Sequence, residues 1–188
     1  MPPKVRITKE DIVDTAVGLV RENGEQAINA RAIAAALNCS TQPVFSNFAT
    51  MEELQQAVIV AAYERYLGFL KREAESGKYP QYKSAGMAYI RFAKEEKELF
   101  KLLFMRDRKG NTASGPDFEA SVQAVMSANG ITREKAELMH LEMWTFVHGI
   151  ATMLATSFLA LEWELIGEMM TDVYQGIRTR HLSEESKK

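Results

Sequence analysis

The sequence predicts an all-α fold of about nine helices. Three observations carry this. Apolar residues recur at helical spacing along almost the whole chain, strand-like alternation is absent, and glycine and proline are sparse, 11 and 5 in 188 residues. An apolar content of 46% is ample for a core at this length.

The first helix opens at Thr8, followed three residues later by Asp11, a capping box with Asp in place of Glu. Ile12, Val13, Ala16, Leu19 and Val20 form its apolar stripe, and Gly24 supplies a stop. A short second helix is expected from Ala30 to Leu37, capped by Asn29 and burying Ile33, Ala34 and Leu37. The break is Asn38-Cys39. Ser40 is then expected to cap a third helix, Thr41 to Phe48, with Pro43 in its first turn, where a missing N–H costs little. Thr50 with Glu53 opens a long fourth helix reaching about Glu75. Beyond Gly77, helices are expected near 82–94, 96–105, 116–128, 132–158 and 162–181, with a loop at 110–115 and a break at Gly130.

Helices two and three are each about two turns long, too short to stand alone, so both must pack against the first. Two short helices crossing over a tight turn form a helix-turn-helix. The expected organisation is a DNA-binding domain over 1–50, with the motif at 29–48, a helical bundle over 51–182 and a disordered polar tail at 183–188.

Net charge, −2, does not itself point to nucleic acid, and residues 1–50 balance five basic side chains (Lys4, Arg6, Lys9, Arg21, Arg31) against five acidic ones. The distribution is more telling. Between Asn29 and Thr50 there is no carboxylate, and Arg31 is the only charge; a surface laid against phosphates must avoid carboxylates. A recognition helix presents its N-terminal residues to base edges in the major groove. Here these are Thr41, Gln42 and Val44, with Phe45 expected either in the groove or in the core and Asn47 further along. Gln42 suits adenine, Thr41 and Val44 a thymine methyl or a phosphate, and Arg31 a phosphate or guanine. Lys4, Arg6 and Lys9 reach the backbone from an N-terminal arm.

The stretch from Ile7 to Val58 resembles the N-terminal domain of the tetracycline-repressor-like (TetR) family. The residues that carry this are Thr8, Gly24, Ile33-Ala34, Ser40, Phe45, Phe48 and Glu53-Leu54, in matching order and spacing. The segments YIRFAKEEKELFKLLF and MWTFVHGIATML resemble parts of ligand-binding domains of the same family. The resemblance implies a dimer built by the last two helices of each subunit, and a small molecule that shifts the two DNA-binding heads. Three positions depart from it. The usual Tyr is Phe45, the usual His is Asn47 and a common Lys is Met51, each a lost phosphate contact. DNA affinity is therefore expected to be modest.

The helix at 132–158 is apolar on most sides, and so is expected to pack on the core and on a second subunit. Phe158 with Leu165, Ile166, Met169, Met170 and Val173 of the last helix are the expected dimer contacts. Phe92, Phe100, Leu103, Phe104, Trp144, His148 and Met153 are the expected lining of a pocket for an apolar effector. His140 and His148 lie roughly 80° apart around one helix, with no Cys or HExxH spacing beside them, and no metal or other cofactor is expected. No phosphate loop or nucleophile elbow suggests an enzyme. One cysteine, Cys39, excludes an intrachain disulfide framework. No signal peptide or membrane span is read, so a cytoplasmic location is expected. The alternative is a helical ligand-binding or scaffold protein whose head has lost affinity for DNA.

Overall fold

The computed structural model describes residues 7–106 and 116–183. Lys4 and Arg6, the loop at 110–115 and the tail beyond Ser183 lie outside the described residues. The described chain is all-helical: α1 (Lys9–Asn23), a 3₁₀ turn (Glu25–Ala27), α2 (Ala30–Ala36), α3 (Gln42–Asn47), α4 (Met51–Glu75), α5 (Gln81–Glu95), α6 (Lys97–Phe104), α7 (Pro116–Asn129), α8 (Arg133–Ala155) and α9 (Trp163–Ser183). None of these helices is long and apolar enough to cross a membrane. No cluster of three or more His, Cys, Asp or Glu among the described residues could hold a metal.

Two compact units emerge. One comprises the described residues of Met1–Gly68 and Glu96–Arg106, the other those of Phe69–Glu95 and Asp107–Lys188. The chain passes between them inside α4, between α5 and α6, and after α6. The expected boundary at 50/51 falls within the first unit, at the start of α4.

The first unit is assembled around α1. Its Ile12, Ala16 and Val20 are buried with Ile33 and Ala34 of α2, Val44 of α3, Leu54, Val58, Ala62 and Tyr66 of α4, and Leu99, Phe100 and Leu102 of α6. Each large side chain so buried contributes roughly 1.5–3 kcal/mol. One polar group is also enclosed. Glu96, 5% exposed, accepts Arg21 Nε at 2.7 Å and Arg21 Nη2 at 3.1 Å, and Arg65 Nε at 2.7 Å and Nη2 at 2.6 Å. It stands at the N-terminal boundary of α6, so this carboxylate ties α6 to α1 and α4.

The second unit is built on the packing of α5 against α8, flanked by α7 and α9. Val122, Val125, Ile131, Ala136 and Met139 are buried together, covered by Tyr82, Phe118, Tyr174 and Ile177. Gly86 on α5 admits Met170 so closely that an added Cβ would lie 2.5 Å from the methionine methyl. Two tyrosines of α5 meet the two histidines of α8: Tyr82 Oη lies 3.0 Å from His140 Nδ1, and Tyr89 Oη 2.8 Å from His148 Nδ1. His181, in the last turn of α9, is buried with its Nε2 3.0 Å from Glu142 of α8.

Two helix ends differ from expectation. α8 stops at Ala155 rather than near Phe158. Ser157 takes a left-handed conformation, φ 57°, and the N–H groups of Ser157 and Phe158 return to the carbonyls of Leu154 and Met153. This is a Schellman stop with serine where glycine is usual. Phe158 is thereby placed beyond the helix, 81% exposed. α3 begins at Gln42 with Thr41 as the flanking residue and no side-chain cap, so Ser40 does not cap it.

Candidate nucleic-acid interface

The head is shaped by its caps. Thr8 and Asp11 exchange both bonds of the capping box, Asp11 N–H to Thr8 Oγ1 at 3.1 Å and Thr8 N–H to Asp11 Oδ2 at 2.8 Å. Those bonds hold the Asp11 carboxyl below the usual carboxylate range, the Thr8 N–H being the larger cause. Asn29 Oδ1 accepts the Ala32 N–H at 2.8 Å and starts α2. α2 ends in a second Schellman arrangement: Asn38 is left-handed, φ 51°, while the Asn38 and Cys39 N–H groups return to Ala35 and Ala34 carbonyls. Asparagine tolerates this conformation better than most residues, and the reversal sends the chain directly into α3.

On α3, Val44 is fully buried and Phe48, just after it, nearly so. Val44 was expected to meet a base. A six-residue helix must spend its inward position on the core, and Val44 occupies it, so its side chain cannot touch DNA. Gln42, Phe45 and Ser46 point outward, and Thr41 is half-buried. Ser46, one turn after Gln42, is an outward residue the sequence reading passed over; the i, i+4 spacing was the available signal. Asn47 is half-buried, and its amide donates to the Pro43 carbonyl at 2.8 Å. Phe45 is 56% exposed. It borders a shallow concavity with Ile28, Asn29, Ala30, Arg31, Thr41 and Met51. The head therefore brings Arg31, Thr41 and Phe45 together on one surface, with Gln42 on the same helix.

Electrostatically, Arg31 is exposed and has no ion-pair partner among the described residues. Lys9 is committed elsewhere. It pairs with Glu53 at 2.8 Å and lies 4.6 Å above the Phe48 ring. Glu53 also accepts the Ala49 N–H at 2.9 Å, while Thr50 Oγ1 accepts the Glu53 N–H at 3.2 Å. Lys9 and then Ala49 hold that carboxyl below the usual range. The start of α1 is thus pinned to the start of α4, next to the concavity.

Residues 82–173 match the profile of the tetracyclin repressor-like C-terminal domain family. Over that stretch the chain carries a tetracyclin repressor-like C-terminal domain. The fold of the chain is similar to the crystal structure of a TetR-like transcriptional regulator from Rhodococcus sp. RHA1, with a TM-score of 0.66, 19% identity and coverage of 97% of this chain and 98% of that one. No curated protein matches the chain in sequence.

In this TetR-like chain the expected pocket residues divide between the units. Phe100 and Leu103 of α6 are buried, and the Phe104 ring lies 5.3 Å from those of Phe100 and Tyr66. Phe92 is buried edge-on to Phe69, also at 5.3 Å. On α8, Trp144 stacks on His148, centroids 4.9 Å apart and planes at 14°. One turn further, the Thr152 hydroxyl oxygen is buried with no hydrogen-bond partner among the described residues. Met153 is exposed. Among the expected dimer residues, Ile166 and Met170 are taken into the core of the second unit, Met169 and Val173 are half-buried, and Phe158 and Leu165 are exposed. Leu138, Leu141 and Trp144 of α8 add further exposed apolar surface.

Proposed function

We propose that the protein is a DNA-binding transcriptional repressor that holds a palindromic operator as a homodimer and releases it on binding a small, largely apolar effector. The observation that carries this is the outward surface of the head. A tight α2–turn–α3 unit exposes Arg31, Gln42 and Phe45 from a stretch without a carboxylate. A twofold dimer would present two copies of α3 to half-sites about one helical turn apart. The exposed apolar side chains of α8 and α9, Leu138, Leu141, Trp144 and Leu165, support a partner subunit there.

For the effector, the reading rests on Tyr89, Trp144, His148 and Thr152. Stacked aromatic rings on α8, with an unsatisfied buried hydroxyl one turn further along the helix, suit a mostly apolar molecule carrying one polar group. Release then requires only that the effector bind one conformation of the dimer better than the other. The protein works in the cytoplasm, where its operator lies.

The test is selection of duplexes from fragmented genomic DNA by the purified full chain. The expected result is an enriched palindrome whose binding weakens in both Arg31→Ala and Gln42→Ala. Unchanged binding in both variants refutes the assignment of the face. Phe45, Asn47 and Met51 favour a second reading, a helical ligand-binding or scaffold protein with a weakened head, which an absence of any enriched duplex would support.

A further inference from the structure

We infer that Phe45 is a specificity-determining residue that reads the 5-methyl group of a thymine, seating it against the partly apolar concavity beside α3. This deepens the DNA-binding reading above and rests on it.

An aromatic residue at this outward position is not required by the fold. Its neighbours Val44 and Phe48 reach the core from the same short helix, whereas Phe45, on the outward side, leaves more than half of a large apolar ring in water. The concavity it borders is partly apolar. Ile28, Ala30 and Met51 line it together with Asn29, Arg31 and Thr41. The ring has no hydrogen-bonding group, and the nearby Asn47 amide is engaged with Pro43. A phosphate oxygen could bond to Arg31 or to the Thr41 hydroxyl here, but would gain nothing from the ring itself.

The charge pattern argues for a polyanion over this face: one unpaired cation, and no carboxylate from Asn29 to Thr50. The edges of base pairs in the major groove offer donors, acceptors and a single apolar group, the thymine methyl. An exposed aromatic ring on an inserted α3 therefore has one matching partner. Packing the methyl against the ring and into the concavity removes apolar surface of both from water. Sequence choice at that base pair then depends on shape and on a methyl group rather than on a hydrogen bond, and a cytosine there lacks the methyl.

The experiment uses the full chain and its best duplex selected from random-sequence DNA. Each thymine in a half-site is replaced in turn by deoxyuridine, which removes only the methyl. The expected result is one position per half-site at which binding weakens about fourfold, the worth of one buried methyl-sized group, and about sixteenfold with both half-sites substituted. In Phe45→Ala, the thymine and deoxyuridine duplexes at that position should bind equally. Equal penalties in the wild type and the variant, or no penalty at any thymine in the wild type, overturn the assignment of Phe45 alone. Failure of every duplex to bind overturns the regulator reading and this one with it. A wild-type scan without any thymine penalty overturns the assignment even if the variant fails to fold.

Discussion

Removing the arginines around Glu96 should reveal a strong coupling. The carboxylate is 5% exposed, while the side chains of Arg21 and Arg65 are 45% and 44% exposed. The two kinds of partner therefore differ in what happens when the cluster is broken. A freed arginine regains water; a freed Glu96 cannot. With Arg21→Ala, Arg65 still neutralises Glu96, and the loss is that of exposed charge-assisted bonds, about 1 kcal/mol. Arg65→Ala should cost about the same. With both removed, a buried carboxylate is left without a counter-charge, and breaking a buried pair in this way costs about 3–5 kcal/mol. The double variant should thus lose about 1–3 kcal/mol more than the two single losses added together. Urea unfolding followed by circular dichroism on all three variants and the wild type measures each term. Additive losses, within about 0.5 kcal/mol, would refute the claim that Glu96 is the enclosed member of the cluster.

Further outcomes follow from other parts of the molecule. Val44→Ala should lower stability by about 2 kcal/mol, two buried methyls and the space they leave, with DNA affinity of the folded protein unchanged; lost binding without lost stability would return Val44 to the interface. Ser157→Gly should stabilise by about 0.5–1 kcal/mol by relieving the left-handed serine that ends α8, visible as a higher melting temperature. Acid should destabilise in two stages. Burial lowers the His140 value, so the unfolded chain takes up that proton first, and stability declines as pH falls below the ordinary imidazole range. His140→Gln should flatten this first stage. Asp11, Glu53 and Glu119 have values lowered by Thr8, by Lys9 and by Arg133. Their contributions hold above the ordinary carboxylate range and fade as pH falls through it towards their folded values. Operator binding should show a shallow salt dependence. Arg31, Lys4 and Arg6 from two heads neutralise at most about six phosphates, a logarithmic slope of about −5, and a slope beyond about −8 would mean that other cations carry the contact.

Much of the head was legible because its signals are local. Thr8 with Asp11 and Asn29 make the bonds their positions implied, and Asn38 makes the turn. Capping chemistry acts over three or four residues, so sequence reports it directly. Four features were not legible. Within six residues of α3, periodicity cannot separate an inward Val44 from an outward one. The apolar pattern runs on past Ala155 through Phe158, hiding a stop made by the backbone of Ser157. On α9, whose apolar face is broad, Ile166 and Met170 cannot be told from Leu165 without knowing where α5 lies. Glu96 gave no signal at all. In the run Lys94-Glu95-Glu96-Lys97 it reads as solvated charge, and only the approach of Arg21 and Arg65, distant in sequence, encloses it.

The threefold passage of the chain between the two units bears on how such a protein can diversify. A head attached by one linker can be exchanged between relatives by a single recombination event. Here a crossover near residue 50 would carry off α1 to α3 but leave behind Leu54, Val58, Leu99 and Phe100, which complete their core. A graft would have to match a foreign α4 and α6 at once. New binding specificities are therefore expected to arise by point changes on the outward positions of α2 and α3, where Arg31, Gln42, Phe45 and Ser46 can vary without disturbing the packing beneath them.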